Sequence, residues 1–84
     1  MKIRICKSDD RFFPQIIRSD NSRMGSDGQI AEYLNLEYEE YINFIIKNKG
    51  FLYNNYYFFK TEKDCQEFIE NFIEPRTILQ ELIK

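Results

Sequence analysis

Phe51-Leu52-Tyr53-Asn54-Asn55-Tyr56-Tyr57-Phe58-Phe59 sets two aromatic runs on either side of two asparagines. Aromatic residues suit the half-buried surface of a strand, and asparagine tolerates the positive φ of a two-residue hairpin turn. The stretch therefore predicts a β-hairpin with strands at 51–53 and 56–60. Its flanks decide the rest of the fold. Upstream, residues 37–49 repeat apolar side chains at helical spacing, centred on Tyr38, Tyr41, Ile42, Ile45 and Ile46. Gly50 follows as the residue that tolerates a left-handed helix cap. Downstream, Thr61 is placed to cap a helix in which Cys65, Phe68, Ile69, Phe72 and Ile73 form an i, i+3, i+4, i+7, i+8 stripe. Pro75 either kinks that helix or opens a new one, with Ile78, Leu79, Leu82 and Ile83 continuing the apolar face.

Toward the start of the chain, residues 2–6 alternate polar and apolar side chains and read as a half-buried strand. Ser8-Asp9-Asp10 breaks it. Pro14 lacks an N–H and argues against a central strand at Phe12-Phe13-Pro14, so a second short strand is placed at 15–18. Residues 19–28 are rich in Ser, Asp, Asn and Gly and predict an exposed loop. Ser26-Asp27-Gly28-Gln29 matches a capping box, the start of a short helix through Leu34. The whole predicts a single α+β domain over residues 1–84. A small, mostly antiparallel sheet of about four short strands packs on two or three helices.

A chain of 84 residues buries a modest share of its surface, and 43% apolar and 17% aromatic content compensates with bulky rings. Charge is uneven. Residues 1–29 hold six basic and four acidic side chains, whereas residues 62–84 hold three and six. The formal net charge of −2 gives no general affinity for nucleic acid. The opening residues show no apolar leader core and no stretch is long enough for a membrane span, so a cytoplasmic protein of a bacterial host is expected. Cys6 and Cys65 are expected to stay reduced.

Candidate groups for catalysis are few. Without histidine there is no ordinary imidazole base, no Ser-His or Cys-His pair and no imidazole-based zinc site. No glycine falls in a phosphate-binding pattern. A non-enzyme with no cofactor and no metal is expected, one that acts through its surface.

Residues 29–59 order a short helix, a turn, a longer helix and a hairpin, as a winged helix-turn-helix would. At the start of the longer helix, where a DNA reader needs cations or amides, stand Glu37, Glu39 and Glu40. On the last helix, Glu67, Glu70 and Glu74, and Glu81 if the helix passes Pro75, fall within about 60° of arc opposite the apolar stripe. That arc is either a solvated face or a docking strip for a basic surface. Phe44 points away from the apolar centre of its helix, toward Glu37 and Glu40. It packs on the preceding helix or anchors a partner. Of Tyr53, Tyr56 and Tyr57, at least one ring should be exposed. The candidate partner-contacting set is Glu37, Glu40, Phe44, Tyr56, Glu67, Glu70 and Glu74.

The stretches Gly25-Ser26-Asp27-Gly28-Gln29-Ile30-Ala31-Glu32-Tyr33-Leu34, Tyr38-Glu39-Glu40-Tyr41 and Tyr56-Tyr57-Phe58-Phe59-Lys60-Thr61-Glu62-Lys63-Asp64 resemble small phage and prophage proteins of AT-rich bacteria. The bias toward Ile, Lys, Asn, Tyr and Phe fits such genomes. The resemblance implies an inhibitor, as anti-CRISPR proteins are, that binds a host defence protein such as a nucleic-acid-binding nuclease and blocks it by occlusion. The alternative is a winged-helix-like regulator that binds DNA through Arg4, Arg11, Arg18 and Arg23. A third reading is self-association, as a homodimer, through the edge of the aromatic hairpin.

Overall fold

The structure, a computed structural model, describes residues 2–83. The chain begins with a hairpin of β1 (Lys2–Ser8) and β2 (Arg11–Ile17), reversed at Asp9, which takes a positive φ of 55°. A two-residue strand β3 (Arg23–Met24) returns along β2. Helices α1 (Asp27–Tyr33) and α2 (Tyr38–Lys47) follow, then the hairpin β4 (Phe51–Tyr53) and β5 (Tyr56–Phe58). The chain ends in α3 (Glu62–Phe68), a π-helical turn (Ile69–Ile73) and α4 (Glu74–Ile83). The class is α+β, as predicted.

The strands form two antiparallel sheets, β1-β2-β3 and β4-β5, where one sheet was expected. They are joined at one point: Phe12 and Phe59 exchange backbone hydrogen bonds of 2.9 and 2.7 Å. The second strand starts at Arg11, four residues before its predicted start, and it contains Pro14. Alternation explains the tolerance. The N–H of Phe12 points away from β1 toward Phe59, so the nitrogen of Pro14, two residues on, faces that same outer edge. There it falls between the Phe59 bridge and the β3 pairing at Ile16, where no partner strand needs a donor. Met24 and Arg23 lie inside the segment read as loop. Two residues carry too little pattern to reveal a strand.

The hairpin and the caps follow the sequence closely. Asn54 and Asn55 adopt φ of 51° and 72°, both positive as a tight two-residue turn requires. Ser26 Oγ accepts from the Gln29 N–H at 3.3 Å and Gln29 Oε1 accepts from the Ser26 N–H at 3.5 Å, closing the capping box. Thr61 Oγ1 accepts from the Asp64 N–H at the start of α3. The end of α2 differs from expectation. The left-handed residue is Lys49, at φ 75°, and not Gly50. Gly50 donates its N–H to Ile45 O at 2.9 Å, and a Cβ there would run into the Ile45 side chain and approach its carbonyl oxygen to 2.9 Å. Close approach, not positive φ, requires glycine at this position.

The core lies where α1, α2 and α3 meet the inner face of the first sheet, which contributes Ile3, Ile5, Phe12 and Ile16. All five residues of the α3 stripe are buried. Four rings pack in series there: Phe59 on Phe68 at 5.1 Å, Phe68 stacked on Phe72 at 5.2 Å, and Tyr41 against both at 6.0 and 6.1 Å. On α2, burial falls on Tyr41, Ile42 and Ile45, while Tyr38 and Ile46 are exposed. The buried side is thus turned toward Phe44, which is half-buried against Phe72 at 4.3 Å. Phe44 packs on the π turn of the C-terminal segment, a contact the sequence did not indicate.

Pro75 stands in the first turn of α4, second to Glu74, and a π turn joins that helix to α3. The π turn ahead of it lets the Glu74 N–H reach back five residues to Ile69 O, so the helix widens just before the residue whose ring would crowd an α-helical carbonyl. The wider turn also rotates α4. Thr77 becomes fully buried, its hydroxyl donating to Glu74 O at 2.9 Å, and Ile78, Leu79 and Leu82 are exposed. The apolar face expected to continue from α3 therefore does not. The part of that expectation resting on the Ile83 side chain lies outside the described residues.

Candidate functional site

Two surfaces and one cavity carry the groups available for recognition. The first surface is on α2, where Glu37, Glu40 and Phe44 share a side at i, i+3 and i+7. They line, with Glu39, Asn43 and Lys47, a shallow concavity of about 480 Å³. Phe44 is its apolar floor, held from behind by Phe72. Arg76 completes the support. Its guanidinium lies 3.8 Å from the Phe72 ring centre and 5.3 Å from that of Phe44, and it donates to Phe72 O at 3.0 Å. The free anchor considered for Phe44 is thus a half-buried ring with one accessible side.

The second surface runs along the C-terminal helix. Glu67, Glu70 and Glu74 are all exposed, and none forms an ion pair with another described residue. Glu81 leaves this row, because the π turn carries it round to Tyr33. Burial and the neighbouring charge of Glu81 together raise the Tyr33 hydroxyl above its ordinary value. Beyond Glu74 the same helix exposes Ile78, Leu79 and Leu82. Carboxylates and exposed aliphatic side chains thus follow one another on a single rod.

Tyr56, the remaining predicted contact residue, stands apart from both acidic groups. It is exposed on the hairpin and lines a cavity of about 300 Å³ with Phe13, Tyr57, Phe58, Ser26 and Asp27. Asp27 is 8% exposed, and its Oδ2 accepts the Tyr57 backbone N–H at 3.1 Å. Burial pushes this carboxyl above its ordinary 3.8, an effect that the Tyr57 hydrogen bond partly offsets. No cation lies within ion-pair reach of it among the described residues. Sequence reasoning missed Asp27. In a capping box it reads as a solvated first-turn acid, and only the hairpin folding over it makes it a buried one.

Beside the cavity, Arg11 is laid on the hairpin, 3.9 Å from the Tyr53 ring centre and 5.1 Å from that of Phe58, with Asp9 as its ion-pair partner at 3.3 Å. Cys6 and Cys65 are both free thiols. Burial pushes the Cys65 thiol up to about 12, which keeps it protonated and unreactive. No group of three or more His, Cys, Asp or Glu among the described residues is placed to hold a metal. No helix among them is long and apolar enough to cross a membrane. Comparison with protein-family models, curated proteins and solved structures finds no match to this chain.

Proposed function

We propose that this domain is a non-catalytic binding module that docks on a basic protein surface and occludes it, in the manner of a phage-encoded inhibitor of a host defence nuclease. One observation carries the reading. The row Glu67, Glu70 and Glu74 is exposed, without counter-ions among the described residues, and leads into exposed Ile78 and Leu79 on the same helix. Like charges at these spacings cost a helix a few tenths of a kcal/mol per pair, so an adjacent cationic partner would relieve a standing repulsion. The aliphatic side chains supply area to bury, and the carboxylates supply orientation and encounter rate. The concavity of Glu37, Glu40 and Phe44 adds a second acidic contact with an apolar floor.

The test compares capture from host lysate by the parent chain and by a Glu67→Gln/Glu70→Gln/Glu74→Gln variant of equal helicity. A partner held by the parent and released by the variant supports the reading. Identical captured sets, or none, count against it.

A second reading rests on strand register. Lys2 and Arg23 both sit opposite Ile17, and Arg4 sits opposite Gln15, so the three cations share the outer face of the first sheet. Arg11 does not join them, being committed to Tyr53 and Asp9. A DNA regulator would use that face, and its affinity for duplex would fall steeply with salt. An occluding inhibitor would not bind duplex at all.

A further inference from the structure

We infer that the cavity between the two hairpins is a receptor for a single organic cation of side-chain size, an alkylammonium or guanidinium on a short apolar stem. Three features on one site define that chemistry. The first is the carboxylate of Asp27, nine-tenths buried, lining the cavity, with Oδ2 engaged by Tyr57 and Oδ1 without a hydrogen bond among the described residues. A buried carboxylate is costly unless paired, and a cation entering the cavity supplies the missing partner. The second is the wall. Phe13, Tyr56, Tyr57 and Phe58 surround the space, and ring faces attract cations while accommodating an apolar stem. The third is size. About 300 Å³ is at the lower end of small-ligand sites, enough for one side-chain-sized group.

The hairpin already handles such a group. Arg11 stacks on Tyr53, and at 5.1 Å on Phe58, which is also a wall of the cavity, so a guanidinium on these rings is a contact the fold already makes. Arg11 does not neutralise Asp27, because its carboxylate partner is Asp9. The site is independent of the acidic row on the last helix, and its test involves no protein partner.

Amide chemical shifts would be followed while the whole chain is titrated with n-butylammonium, with N-acetyl-arginine amide, and with the neutral isostere n-butanol. Saturable shifts centred on Phe13, Ser26, Tyr57 and Phe58 with either cation, at least fivefold weaker with butanol, support the inference. If only n-butylammonium binds, the source is a free amine. If the arginine amide binds as well or better, it is a basic side chain. Asp27→Asn, whose side-chain oxygen can still accept from Tyr57, should weaken cation binding at least fivefold, and Tyr56→Ala should weaken it two- to threefold. Equal response to butanol and the cations overturns the inference, even if Asp27→Asn fails to fold. So do shifts centred elsewhere, or cation affinity unchanged in a folded Asp27→Asn.

Discussion

The carboxylate of Asp27 accepts the backbone N–H of Tyr57 at 3.1 Å, across 30 positions of sequence, and so fastens the start of α1 to the second strand of the aromatic hairpin. One side chain thereby serves a helix terminus, a hairpin and a cavity. Its environment gives it a definite pH signature. Burial favours the neutral acid, so the folded chain keeps this proton to a higher pH than the unfolded chain does. The stability it contributes is complete below pH 3.8 and is lost as pH rises through the raised value. Asp27→Asn removes that dependence. Urea melts at fixed ionic strength should show the variant gaining on the parent between pH 4 and 7, and a pH-independent difference contradicts the assignment. Asp27→Ala, which leaves the Tyr57 N–H without its partner, should cost about 1–3 kcal/mol below pH 4 and less as the pH rises.

Tyr41 is fully buried in the ring cluster, and its hydroxyl has no hydrogen-bond partner among the described residues. Burial raises it well above its ordinary value, so it remains neutral. A buried hydroxyl without a partner opposes folding, and Tyr41→Phe keeps the ring contacts while deleting it. The variant should be more stable by about 0.5–1.5 kcal/mol in urea unfolding. A loss of stability would show that the hydroxyl is satisfied after all.

Lys49 and Asn55 both hold positive φ, at 75° and 72°, but asparagine tolerates that region better than lysine. Lys49→Gly should therefore stabilise by about 0.5–1 kcal/mol and Asn55→Gly by less than half of that. The exposed Lys49–Asp64 pair at 3.7 Å is too weak to reverse the order. Gly50→Ala should cost about 1–3 kcal/mol, because the added methyl meets Ile45. Thermal unfolding of the three variants side by side checks the ranking. A larger gain at Asn55 than at Lys49 would refute it.

What was readable in advance was local. Asn54-Asn55, the capping box and the Cys65-to-Ile73 stripe each act within a few residues, and each formed as read. What was not readable depends on pieces distant in sequence. Pro14 sits in a strand because Phe59 and Met24 happen to bracket it on the outer edge. Phe44 turns inward because Phe72 and Arg76 offer it a surface. Ile78 and Leu79 face outward because one widened turn before Pro75 rotates everything after it, and the same rotation takes Glu81 out of the acidic row. For the candidate site, the helical spacing of Glu67, Glu70 and Glu74 was legible. The burial of Asp27 was not, since the same four residues cap an exposed helix equally well.

Occlusion of a basic nucleic-acid surface through Glu67, Glu70 and Glu74 is tested most directly by displacement. A captured partner would be loaded with fluorescently labelled duplex and titrated with the parent chain, following anisotropy. The account predicts that anisotropy falls to the value of free duplex as the chain is added, that added salt weakens the effect, and that the triple Glu→Gln variant needs at least tenfold more protein. Duplex that stays bound while the chain joins the complex, or equal displacement by the variant, would contradict it.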